Sequence, residues 1–79
     1  MKLHWEKDDR TCVNRYIAET AQYRFVMIAP RGKKPELWVQ RAGDEWGTKP
    51  IDQRTCRSRR HAEIMAQRFE DKQMARRLR

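Results

Sequence analysis

The stretch 22-QYRFVMIA-29 decides the fold class. It is short, rich in aromatic and β-branched residues, and bounded by turn-forming residues, which is the composition of a strand. Alternation sets Tyr23, Phe25, Met27 and Ala29 on one face and Arg24, Val26 and Ile28 on the other. The second face is half apolar, so the strand is expected at the centre of a sheet.

Working outward, 13-VNRYIAE-19 reads as a preceding strand, joined through a turn at 20-TAQ-22. On the other side, 30-PRGKKP-35 holds two prolines, a glycine and three cations, and reads as a loop. The segment 36-ELWVQR-41 alternates again, with Leu37 and Val39 opposite Trp38 and Gln40. A turn at 42-AGDE-45 follows, with Trp46 and Thr48 expected in a final strand before Pro50 and residues 50–57 as a polar connection. Residues 1–12, anchored by Leu3 and Trp5, read as an arm or a first edge strand.

Ser58 is placed to cap a helix, its hydroxyl accepting from the first turn's exposed backbone donors. Beyond it Ala62, Met65, Ala66 and Phe69 recur at i, i+3, i+4, i+7, a single apolar stripe. The expectation is one α+β domain over residues 1–79. An antiparallel sheet of three or four strands, within residues 13–48, is packed by one C-terminal helix over residues 58–78. Met74, Ala75 and Leu78, with Ile64, fall opposite the stripe. Such a helix end reads as a frayed tail, as the seam of a homodimer, or as a tail that orders on a partner.

The 79 residues are 38% hydrophobic and 38% charged, so the core must be thin and its aromatic residues must supply much of it. No apolar run approaches the length of a membrane span, and 1-MKLHWEKDDR-10 lacks the apolar stretch of a signal peptide. A cytoplasmic protein is expected. Cys12 and Cys56 are then expected as reduced thiols, although the sequence leaves a disulfide between them open. With His4 and His61 they lack the paired spacing of a metal site, so neither metal nor cofactor is expected.

The net charge of +8 is uneven. Residues 1–29 and 30–53 each carry five bases and four acids, whereas residues 54–79 carry nine bases and three acids. Such asymmetry points to a polyanionic partner. Four arginines, Arg54, Arg57, Arg59 and Arg60, crowd the helix entrance, where a cation costs about 0.3–1 kcal/mol against the helix dipole. Backbone donors, arginine forks and the Ser58 hydroxyl together suit a phosphate. Further along, Arg68, Lys72, Arg76 and Arg79 fall in one stripe beside the apolar face, a row able to follow a phosphate backbone.

Trp38 and Gln40, on the face away from the helix, add a second candidate surface with Arg24 and Arg41, suited to base stacking or groove contact. Catalysis finds no support: there is no G-x-S-x-G, phosphate loop or H-E-x-x-H, and Asp8–Asp9 and Asp44–Glu45 are adjacent pairs rather than facing carboxylates.

The order Y-R-F-V, P-R-G-K-K-P, L-W-V, W-G-T and S-R-R-H-A-E-I-M-A, over residues 15–70, resembles small phage and prophage β-β-β-α domains. The arm-binding domain of tyrosine integrases and the ethylene-response-factor-type plant domains look like this. The resemblance implies a three-stranded sheet entering the DNA major groove, with Arg24, Trp38, Gln40 and Arg41 on the matching positions. The chain departs from it in having no integrase catalytic domain and an unusually basic helix end.

The function expected is therefore a non-enzymatic nucleic-acid-binding module, with DNA favoured over RNA. The alternative is a phage-encoded inhibitor of a host defence nucleoprotein complex, similar to an anti-CRISPR protein.

Overall fold

The computed structural model describes residues 2–8, 14–45 and 48–77. The elements are β1 (Glu6–Asp8), β2 (Asn14–Glu19), β3 (Tyr23–Ala29), β4 (Glu36–Arg41), β5 (Asp52–Thr55) and α1 (Arg59–Arg77). The strands form one antiparallel meander in chain order, with β3 at its centre, and α1 lies across β3 and β4. The α+β class holds, with five strands in place of three or four.

Two differences account for the count. β1 is the edge strand that the N-terminal segment allowed. β5 lies inside residues 50–57, where only a polar connection was expected. Thr48 sits instead in a bend, its N–H donating to the Glu45 carbonyl at 3.1 Å, and Trp46 is outside the described residues. β5 reads DQRT, with no large apolar residue, so neither alternation nor propensity marks it. Backbone pairing holds it: its register sets Arg54 opposite Leu37 and Asp52 opposite Val39. The flanking bonds from Ile51 N to Val39 O and from Cys56 N to Pro35 O, both 2.8 Å, extend the ladder.

The hairpin turn at 20–22 is set by Thr20, whose Oγ1 accepts from the N–H groups of Gln22 and Tyr23. Gly32 and Gly43 take positive φ, +74° and +88°, in the β3–β4 and β4–β5 connections, where a side chain would be strained.

Cross-strand register puts Tyr16, Ala18, Phe25, Met27, Leu37 and Val39 on the face beneath the helix. Ala62 and Ala66, both 0% exposed, let the helix backbone approach that face closely. Phe69 meets Tyr23 and Phe25 edge-on, at ring separations of 5.2 and 5.8 Å. Leu3 completes the core from the N-terminal arm, pinned by its N–H donating to Gln67 Oε1 at 2.9 Å.

The opposite face of the sheet closes on polar contacts. Arg24 and Gln40 are cross-strand partners, and both Nε and Nη2 of Arg24 donate to Gln40 Oε1 at 3.1 and 3.0 Å. The same Nη2 reaches the Asp44 carbonyl at 2.7 Å, and Gln40 Nε2 the Thr48 carbonyl at 3.3 Å. The β4–β5 connection is thereby drawn back over the sheet. At the other edge Arg15 forms an ion pair with the buried Asp8, joining β1 to β2, with Nε to Oδ2 at 2.8 Å. Among the described residues, no helix is long and apolar enough to cross a membrane.

Cys56 is a free thiol in the core, and Cys12 lies outside the described residues. Burial raises the Cys56 thiol above its ordinary value of 9.0, opposed in part by the Arg54 charge. A raised folded-state value means that this group favours the fold fully below about pH 9 and loses that contribution as pH rises through the higher value. In a Cys12→Ser variant, thiol titration with a disulfide reagent at pH 8 should register Cys56 only after denaturant is added, and stability should decline above pH 9. Ala66→Leu should force the helix off the sheet and cost about 1–3 kcal/mol by urea unfolding. The same change at exposed Ala75 should stay within about 0.5 kcal/mol.

Candidate nucleic-acid interface

The helix begins as its sequence implies. Ser58 Oγ accepts from His61 N at 3.1 Å, and the Ser58 carbonyl takes the first helical bond from Ala62 N at 3.0 Å. His61 answers in the other direction, its Nδ1 accepting from Arg57 N at 3.0 Å. The Ser58 hydroxyl thus satisfies one orphan donor of the first turn, and His61, at the position where a capping box usually carries glutamate, ties back the residue before the cap, so the first turn holds its entry without an acid.

The arginines of the entrance do not converge. Successive helical residues are rotated by 100°, so Arg59 and Arg60 leave on different sides. Arg59 lies over the Tyr16 ring, 4.2 Å from its centroid, a contact worth about 0.5–1 kcal/mol when exposed. Arg60 turns to the arm, where with Lys2, Leu3, His4, Trp5, Glu63, Ile64 and Gln67 it borders a shallow recess. Arg57 is exposed before the first turn, and Arg54 belongs to β5. Of the residues expected at a phosphate receptor, Arg57, Arg59 and Arg60 with the Ser58 hydroxyl and Arg54 further back, Arg59 lies on Tyr16, Arg60 beside the arm and Arg54 in β5.

A different set does converge. β5 carries Arg54 on the face beneath the helix, and there it meets Arg68 and Lys72 from α1. Together with Asp52 these residues rim a half-open groove of about 230 Å³, floored by Leu37, Val39, Met65 and Phe69. The groove exists because the inward positions of β5 are charged, where apolar side chains would have filled the gap under the helix edge. Asp52, the acid of the rim among the described residues, is bonded to Arg54 at 2.9 Å. Both groups are partly exposed, so the pair is worth only about 0.2–1 kcal/mol and yields to a stronger anion. Arg76, exposed, continues the Arg68–Lys72 stripe by one turn, and Arg79 lies outside the described residues.

The acids of the last third are placed so that they do not neutralise this flank. Glu70 is 1% exposed, withdrawn into the interior, Glu63 borders the recess on the arm side, and Asp71 accepts from Gln67 Nε2 at 2.9 Å. The sequence signal for this burial is spacing: Glu70 continues the row of Ala62 and Ala66 at the next step of four.

The sheet-face candidates require correction. Arg24 and Gln40 are 7% and 2% exposed and hydrogen-bonded to each other, so they hold the sheet and do not present themselves to a partner. Arg41 pairs with Tyr23 in register and therefore belongs to the opposite face from Trp38. Trp38 does face away from the helix but is half-buried, and its Nε1 is enclosed without an acceptor among the described residues. Around it the face carries Glu6, Asp8, Glu19 and Glu36 against Arg15 and Arg24, both of the latter already engaged. Of the residues expected at a subunit seam, Met74 is half-buried, Ala75 is exposed and Leu78 is outside the described residues.

No family model matches the chain, nor does any curated protein or solved structure. Ser58→Ala should lower stability by about 1 kcal/mol in thermal or urea unfolding, and Ser58→Asp should restore most of it, since a carboxylate caps equally well.

Proposed function

We propose that the chain is a small cytoplasmic, non-enzymatic nucleic-acid-binding module that takes the phosphate backbone along the helix flank facing β5. The observation that carries this reading is the convergence of Arg54, from a strand, with Arg68 and Lys72, from the helix, on one groove. Charge excess alone would distribute cations over the surface, as the entrance arginines are distributed. Three cations from two elements, against the single acid Asp52 among the described residues of that rim, leave a net positive local field suited to a polyanion.

The acidic balance of the far sheet face supports the same choice of side. A phosphate backbone approaching that face meets Glu6, Glu19 and Glu36, while the helix flank offers Arg68, Lys72 and Arg76. Arginine forks and a lysine point charge on adjacent turns, roughly 6 Å apart along the axis, can contact several phosphates of one strand.

Fluorescence anisotropy with labelled DNA and RNA at about 50 and 200 mM salt tests the proposal. Native protein should bind at low salt and lose affinity steeply as salt rises. The Arg68→Ala/Lys72→Ala/Arg76→Ala variant should bind more weakly, with the slope of log K against log salt reduced by about two for a single strand. Absence of binding at low salt would sink the reading. An unchanged slope in the variant would move the contact to another surface. Tight, salt-tolerant binding to one protein in place of nucleic acid would favour a phage-encoded blocker of a host nucleoprotein complex.

A further inference from the structure

The groove has more than a charged rim. Its floor is apolar, built by Leu37 and Val39 from β4 and by Met65 and Phe69 from the helix. Phosphate contact needs none of this. A row of cations over a flat polar surface would serve as well; Leu37 and Val39, 2% and 1% exposed, belong to the core, and the part of the floor left open, Met65 and Phe69, is not used by backbone binding.

Size and chemistry narrow the occupant. The volume of about 230 Å³ lies below the roughly 300–1,000 Å³ of pockets for drug-sized ligands and corresponds to about eight waters. One flat ring system fits such a space. An anionic group suits the occupant where it leaves the groove, because Arg54, Arg68 and Lys72 stand at the rim against one acid, Asp52. A nucleotide combines the two properties: a base whose face is apolar, and a phosphate one sugar away.

Inward charges on an edge strand also discourage pairing with other sheets, and the Asp52–Arg54 pair meets that description. Arg68 and Lys72 do not, because they come from the helix and guard no sheet edge. Their place beside Met65 and Phe69 is left for a ligand to explain.

Resting on the nucleic-acid reading above, we infer that this groove receives the base of an unpaired nucleotide, with the adjoining phosphates held by Arg54, Arg68 and Lys72. A duplex cannot meet the floor, since its base faces are stacked on one another and only its backbone reaches the rim. The selectivity is therefore for single strands, loops or ends, the forms whose bases can be turned out.

Three labelled probes with equal numbers of phosphates separate the possibilities: a thymidine oligonucleotide, an abasic strand of the same length, and a hairpin duplex. With native protein at about 50 mM salt, the thymidine strand should bind at least about tenfold more tightly than the abasic strand or the duplex. Met65→Trp, which fills the groove and leaves its cations in place, should bring the thymidine and abasic affinities within about twofold of each other.

Equal affinity of native protein for thymidine and abasic strands would overturn the base pocket and leave phosphate binding intact. Tightest binding to the duplex would overturn it too. Failure of all three probes would remove the nucleic-acid reading itself. An acidic peptide bearing a phenylalanine that outcompetes every probe would assign the groove to a protein partner. The native-protein comparison stands alone if the Met65 variant does not fold.

Discussion

Everything else in the molecule depends on how closely α1 sits on β3 and β4. Ala62 and Ala66 have no exposed surface, and the rings of Phe69, Tyr23 and Phe25 lock edge to face beside them. A small domain with equal shares of apolar and charged residues has little area to bury, so contact density at this seam must compensate. The alanines are what allow it. A larger side chain at either position would lift the helix and thin the contacts of every neighbour at once.

That close seat has a geometric consequence at the edge of the sheet. A 19-residue helix centred on β3 and β4 cannot also cover β5. Where most folds would close the remaining wedge with an apolar side chain, β5 supplies Asp52 and Arg54. The helix contributes Arg68 and Lys72 above the same wedge. The groove is therefore the uncovered margin of the core rather than a separate construction, and its apolar floor is the outer side of residues that hold the fold. Recognition and stability share side chains here, which limits how freely Leu37 or Val39 could change without disturbing both.

Much of this was legible from the chain and some was not, for identifiable reasons. β3 and β4 declare themselves because both alternate and both set apolar residues, Phe25 and Met27, Leu37 and Val39, into the core, and the helix does so through Ser58 and the Ala62–Phe69 stripe. β5 is silent because its pairing is a backbone property and its side chains are all polar. Arg24, Trp38 and Gln40 share a face, as their alternation implies. That Arg24 and Gln40 bond each other across 16 residues of sequence depends on strand register, which no local pattern reports. Where the arginines of the helix entrance point was not legible either. Proximity in sequence becomes dispersion on a helix, so Arg59 went to Tyr16 and Arg60 to the arm.

The distribution of charge ties these points together. A net charge of +8 does not by itself orient a protein on a partner, because a uniformly basic surface attracts a polyanion from every direction. Here the far face of the sheet holds its two arginines in internal contacts and leaves carboxylates outward, while Glu70 is drawn into the core on the helix side. Both placements act in the same sense, making one flank more basic and the opposite face less so. With a Debye length near 8 Å at physiological salt, the two faces are screened from each other across a molecule 20 Å thick in its shortest dimension. A charged partner arriving at close range is therefore sorted by the local flank it meets, and the flank of Arg54, Arg68 and Lys72 is the one that also offers an apolar floor.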